Sequence, residues 1–183
     1  LNLATRTVEG MDVAIVYTLD TQYGDFTFKY NGSFTDEFSQ EATSQFAAMQ
    51  ALADNGTIPE NIPLQGFGDL LGKDGSLEEK HSYKIYYSAG DWGASLSGLT
   101  KGDFVQSKFG TINGVGYTIP EMTTMDLAVW GKFDLGGKDA RVKYTIKNFE
   151  DERAPLADGY QGYFSDIHQD LGMIHQLELR VRF

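Results

Sequence analysis

The chain has 183 residues, with 26 acidic and 15 basic side chains and a net charge of −11. That charge repels a polyanion, so nucleic acid is excluded as a partner. There is no cysteine, which removes disulfides, thiolate nucleophiles and thiolate metal sites. No run of about 18 apolar residues occurs, so no transmembrane helix is expected. Membrane strands need only about 9–11 alternating residues, so a membrane β-barrel stays open. The 21 Gly, 10 Tyr and 12 Phe suit a strand-and-turn protein with aromatic bands, and would also suit a soluble β-sandwich.

Seven segments alternate with the period of two that marks a strand. The first puts Met11, Val13, Ile15, Tyr17 and Leu19 on one face and Asp12, Ala14, Val16 and Thr18 on the other. After a short turn the second sets Phe26, Phe28, Tyr30, Gly32 and Phe34 against Thr27, Lys29, Asn31 and Ser33. Within 41–53, helix formers place Phe46, Met49 and Leu52 on one side, and Asn55-Gly56 is a stop signal. This reads as a helix packed on a loop or a barrel mouth, with a membrane-active helix as the competing reading. The third segment, over 79–89, sets Tyr83, Ile85 and Tyr87 against Lys84, Tyr86 and Ser88. The fourth points Trp92, Ala94, Leu96 and Gly98 outward. The fifth sets Met125, Leu127, Val129 and Phe133 against Asp126, Ala128, Trp130 and Lys132. The sixth sets Val142, Tyr144 and Ile146 against Arg141, Lys143, Thr145 and Lys147. In the last, Leu177, Leu179, Val181 and Phe183 oppose Gln176, Glu178, Arg180 and Arg182.

The connections alternate as well. Short ones, 20–24, 89–91 and 135–139, interleave with long ones, about 40–78, 108–121 and 150–172. Short turns on one rim and long loops on the other is the layout of an outer-membrane barrel. The polar face carries Asp126, Lys132, Arg141, Lys143, Lys147, Arg180 and Arg182. A dry core would charge several kcal/mol for each unpaired ion, so that face is expected to meet a wet lumen or a polar plug. The simpler reading is an antiparallel sheet with its polar face in water.

The last third resembles the C-terminus of TonB-dependent outer-membrane receptors. The matching pieces are Met125–Phe133, then Val142–Lys147 running into Asn148-Phe149-Glu150-Asp151-Glu152-Arg153-Ala154-Pro155, which is similar to the family's "N-L-F-D … P-P" stretch. Gly159-Tyr160, Asp170-Leu171-Gly172 and Leu177–Phe183 follow in the family's order. Met173 and His175 depart from the usual Arg and Tyr. Near the start, Gly10-Met11-Asp12-Val13 resembles the stretch that opens a descending strand in these receptors.

The resemblance implies an all-β fold: the C-terminal seven strands, residues 1–183, of an antiparallel transmembrane barrel of about 22 strands. Seven strands alone leave open edges in lipid. The remaining strands, the plug and the TonB contact are therefore expected on other parts of the gene product or on a separate chain, and the start at Leu1 reads as a mature or internally cut chain. The implied function is import of a scarce nutrient such as a ferric siderophore, cobalamin or an oligosaccharide, without catalysis or a cofactor, at the bacterial outer membrane. The implied partners are membrane lipid and lipopolysaccharide, the TonB complex through the plug, and the barrel assembly machinery reading Leu177, Leu179, Val181 and Phe183. A passive porin-like or multi-chain channel and a soluble β-sheet binding protein are the alternatives.

Tyr160, Tyr163, Phe164 and His168 are candidate substrate contacts from the last long loop, because stacking aromatics suit sugars and aromatic chelates; packing within the loop competes with that role. Asp166-Ile167-His168-Gln169-Asp170 has the composition of a cation loop or simply of a solvated one. His81, His168 and His175 are too scattered to suggest a metal site. The acidic pairs Asp36-Glu37 and Glu78-Glu79 and the run 150–152 are expected at the long-loop rim, where they would bind bridging divalent cations or serve solubility. The glycine-rich 66–73 stretch lacks the spacing of a nucleotide loop. Trp92, beside a short turn, is expected to anchor at a membrane interface.

Overall fold

The computed structural model describes residues 4–59, 66–107 and 116–182. The chain opens with a long hairpin, β1 (Arg6–Thr21) and β2 (Gly24–Gln40). Helix α1 (Ser44–Asp54) follows, capped by the Thr43 hydroxyl, which accepts from the Phe46 amide at 3.3 Å. None of its residues is buried, and Phe46 rests against Phe67 with ring centroids 4.7 Å apart. The two-residue strand β3 (Gly68–Asp69) pairs with the end of β2. Then come β4 (Glu79–Ala89), β5 (Trp92–Lys101), the short β6 (Phe104–Gln106) and β7 (Tyr117–Ile119), β8 (Met122–Asp134), β9 (Asp139–Lys147) and β10 (Ile174–Val181).

The seven long strands are the seven alternating segments, somewhat extended. They form one antiparallel sheet in the order β1-β2-β4-β5-β8-β9-β10, so every neighbour in sequence is a neighbour in space. Strands β6 and β7 form a separate hairpin. Among the described residues β1 and β10 each pair on one side only, leaving two open edges. Among the described residues no helix is long and apolar enough to cross a membrane.

Register decides which face each side chain joins, because a one-residue slip would move a whole strand's apolar set to the other side. Here the register keeps the apolar sets together across all seven strands. One row runs Leu19, Phe26, Tyr87, Ala94, Val129, Tyr144, Leu177. The next runs Tyr17, Phe28, Ile85, Leu96, Leu127, Ile146, His175. The opposite face carries rows such as Val16, Lys29, Lys84, Ser97, Asp126.

Two glycines are required by aromatic rings lying across them. A Cβ on Gly98 would sit 2.1 Å from the Tyr83 ring, and one on Gly93 would sit 2.4 Å from Trp130. Each ring covers the bare backbone of its neighbour strand, the arrangement that rescues glycine in sheets. Gly98→Val should therefore displace Tyr83 and destabilise the sheet by about 1–3 kcal/mol, as overpacking does. A denaturant midpoint unchanged from wild type would refute this.

The apolar face is not covered by the described residues. Ile15 is 55% exposed, Leu127 39%, Leu179 60% and Leu177 72%. The described buried apolar residues are few: Phe104, Ile119, Met122, Ala128 and Ala140. The chain exposes 12495 Å². A compact monomer of its 20.3 kDa would expose about 8,800 Å². The excess is that of an open single-layer sheet, with both faces accessible among the described residues.

Aromatic residues border this face. Near the short turns, Trp92 meets Tyr87 edge-on at 5.2 Å and Tyr87 meets Phe26 at 4.7 Å. Near the long loops, the Tyr30 hydroxyl bonds His81 Nδ1 at 2.9 Å and the Tyr144 hydroxyl bonds His175 Nδ1 at 2.7 Å. Rings with a polar tip suit a boundary between an apolar and a wet phase.

Candidate functional site

Most of the fully buried side chains lie in the long connections. Val105 bonds both ways with the first long loop: its amide donates to the Gly72 carbonyl and its carbonyl accepts from the Asp74 amide, each at 2.8 Å. The Asp74 carboxylate accepts from the Ser107 amide at 2.9 Å and from the Ser107 hydroxyl. Gln106, 3% exposed, reaches the last loop: its amide nitrogen donates to the Asp158 carbonyl at 2.5 Å and its oxygen accepts from the Asp158 amide at 2.9 Å. Phe104 is 1% exposed and meets Phe164 edge-on at 5.1 Å and His168 face-on at 6.1 Å. Three loops thus form one packed layer around Phe104, Gln106 and His168.

The base of the last loop is pinned in detail. Asn148 and Asp151 adopt positive φ of 49° and 56°, a conformation Asn and Asp tolerate better than bulkier residues. The Asn148 amide donates to Asp126 Oδ1 at 2.9 Å, and its side chain closes a turn by accepting from the Glu152 amide at 3.0 Å. Asp151 Oδ1 accepts from the Met173 amide at 2.8 Å. Arg153 grips Asp170 with two bonds, Nε to Oδ1 at 2.7 Å and Nη2 to Oδ2 at 2.6 Å, and the Ala154 amide adds a third at 3.0 Å. Arg153 and the amide hold the Asp170 carboxyl at about 2.

Beneath this loop, on the polar face, lies a cavity of about 210 Å³. Its floor includes Thr124, Asp126 and Lys147, and Gln169 and Leu171 cover it. The Lys101 ammonium, also in its wall, donates to the Ile167 carbonyl. Leu99, Met122 and Ile174 also line it, so the wall mixes apolar surface with a few polar groups, of which Asp126 already accepts from Asn148 and Lys101 already donates to Ile167. Among the described residues no three His, Asp or Glu side chains converge as metal ligands.

The four candidate contacts separate. Tyr160 is fully exposed. Tyr163 is half-buried and pairs through its backbone with Leu156. Phe164 and His168 turn inward onto Phe104. His168 is 1% exposed, and neither ring nitrogen has a hydrogen-bond partner. In the 166–170 run, Asp170 is occupied by Arg153 while His168 faces the loop core, so the two do not converge on a cation. Of the terminal-strand residues, Leu177 and Leu179 stand exposed on the apolar face, whereas Phe183 lies outside the described residues. The packed loop layer was missed in the sequence because β6 and β7 are three residues each, too short to show a period.

Burial, and next the Lys101 charge, push His168 protonation below the ordinary value of 6.5. Protonation therefore favours the open loop, and stability contributed by the neutral ring is lost as pH falls below 6.5 toward the lowered value. Asp170 adds a second loss between 3.8 and about 2. Protection against hydrogen exchange at 164–170, taken relative to the intrinsic amide rate at each pH, should fall in the first window, and His168→Phe should remove that step. An identical profile in the variant would refute it.

No family model, curated protein or solved structure matches this chain. The fold and site therefore define an all-β protein with one apolar face, one polar face and a packed loop layer on one rim.

Proposed function

We propose that the chain is a section of the wall of a TonB-dependent outer-membrane transporter that imports a scarce nutrient. The observation that carries the membrane part is the uninterrupted exposed apolar band across seven antiparallel strands, bordered by aromatic rings and backed by a polar face. Lipid covers such a band at no desolvation cost, and a transmembrane strand alternates in this way. The open edges of β1 and β10 would be paired by further strands, because unpaired backbone is expensive in hydrocarbon. The transporter part rests on the Asn148–Pro155 resemblance, supported by the last loop leaning over the polar face, where it would narrow the mouth of a lumen. Tyr160 is the aromatic of that loop free to touch a solute outside. Leu177, Leu179, Val181 and Phe183 would be read by the assembly machinery.

The test is fractionation of cells producing the natural gene product. The expected result is recovery in the outer membrane, extraction only by detergent, and a gel mobility that changes on heating. A detergent-free soluble monomer would overturn the membrane reading. Planar-bilayer recording separates transporter from passive pore: a plugged transporter gives no steady conductance, and a constant open channel would favour the pore. Deleting Phe183 should lower the amount inserted, and undiminished levels would remove the assembly role.

A further inference from the structure

The polar face near the short turns concentrates positive charge in a chain whose net charge is −11. Lys132 stands directly opposite Arg141, and Arg141 directly opposite Arg180. Arg182 is two residues further along the same face of β10. Like charges facing one another across strands destabilise a sheet. Asp91, Asp134 and Asp139 share their groove, Asp139 beside Arg182, but within the described residues none of the four cations forms an ion pair with a carboxylate of another strand. Arg180 has one acid, Glu178 of its own strand, at 3.1 Å. Arg141 lies over the Trp130 ring at 5.4 Å, and its Nε is buried without a hydrogen-bond partner. Lys132 and Arg182 form no side-chain hydrogen bond or ion pair among the described residues. The four cations line an open groove of about 550 Å³, with Asp91, Asp134 and Asp139 at its turn end.

We propose that this basic row is the docking site for an acidic polypeptide segment lying across β8, β9 and β10. Charge complementarity selects an anion. Geometry selects an extended one, since Lys132, Arg141 and Arg180 follow a row with steps of about 4.8 Å from strand to strand, Arg182 lies beside its end, and the four do not converge on a point. A lipid headgroup is disfavoured because the row is on the face opposite the apolar band. Nucleic acid is disfavoured by the net charge of −11. The carboxylates of the segment would accept from the guanidinium forks of Arg141 and Arg180, the strong charge-assisted type of hydrogen bond. The inference rests on the reading of the polar face as an accessible inner wall.

The test uses the full chain in non-ionic detergent, in a Trp92→Phe background so that Trp130 alone reports. The probes are a short Glu-rich synthetic peptide, its Gln-for-Glu counterpart and inorganic phosphate. The Glu peptide is expected to change Trp130 fluorescence saturably and to weaken as salt is added. The Gln peptide should have no effect, and phosphate at equal concentration should not compete. Arg141→Gln with Arg180→Gln should weaken binding by about tenfold or more, a factor that corresponds to about 1.4 kcal/mol. Lys29→Gln, on the same face but distant, should leave it unchanged. Equal response to both peptides, displacement by phosphate, or an unaffected double variant would each overturn the proposal. The comparison of peptides on the parent protein holds even if the double variant fails to fold. A soluble protein that binds the Glu peptide keeps this site and loses the barrel; a heat-modifiable membrane protein indifferent to peptide charge does the reverse.

Discussion

Leu127→Arg should strongly reduce assembled protein, whereas Ser97→Arg should be tolerated. Leu127 is at the centre of the apolar band, between Leu96 and Ile146, and is 39% exposed. Ser97 lies on the polar face between Lys84 and Asp126. In water, arginine at a partly exposed sheet position costs little. In lipid the same change costs about 2–4 kcal/mol near the midplane, which is a large part of the stability of an ordinary domain. The ratio of assembled to unassembled protein on unheated gels measures the difference. Equal tolerance at both positions would mean that no lipid covers the band, and the apolar face would then need a protein partner.

Phe104→Ala should open the loop layer while leaving the sheet intact. Phe104 is the aromatic onto which Phe164 and His168 both pack, and its removal leaves a cavity where three loops meet. Truncating a buried phenylalanine costs about 3–5 kcal/mol. None of the seven long strands depends on Phe104 for its pairing, so the loss should stay local. Limited proteolysis is the direct measurement: new cuts are expected within 66–78 and 156–170, with the heat-dependent gel shift retained. Loss of the gel shift would mean that the loop layer and the sheet fold as one unit.

Those two variants probe parts of the molecule that differed in how far they could be read in advance. Alternation is a local property: Met11 to Leu19 or Leu177 to Arg182 reveals a strand with two unlike faces without reference to any other residue. The short-turn connections were legible for the same reason, since Gly90-Asp91 and Gly136-Gly137 announce tight turns in place. The place of Leu179 on the apolar face also followed from pattern, whereas the exposure of Tyr160 did not, since packing within the loop competed with it. The helix was placed from its formers and stop signal, beginning a few residues earlier than the observed Ser44.

The loop layer had no such signal. Gln106 finds its partners 52 residues away at Asp158, and Lys101 finds Ile167 66 residues away. Nothing in Phe104-Val105-Gln106 indicates that Phe104 and Gln106 would be among the most enclosed of the described residues. His168 shows the consequence, because a polar residue in a polar-looking run is buried beside Phe104 by packing that only the third dimension supplies. The basic row is intermediate. Sequence put Lys132, Arg141, Arg180 and Arg182 on the polar face, but the register alone brought the first three into line.

The sequence by itself thus determined the strands, their two faces and the alternation of short and long connections, since side-chain period and turn chemistry act over a few residues. Tertiary structure decided the register that joins seven apolar faces into one band and the burial of Phe104, Gln106 and His168. It also decided the opposition of like charges along one row. Each of these depends on contacts between residues far apart in the chain, which no local pattern encodes.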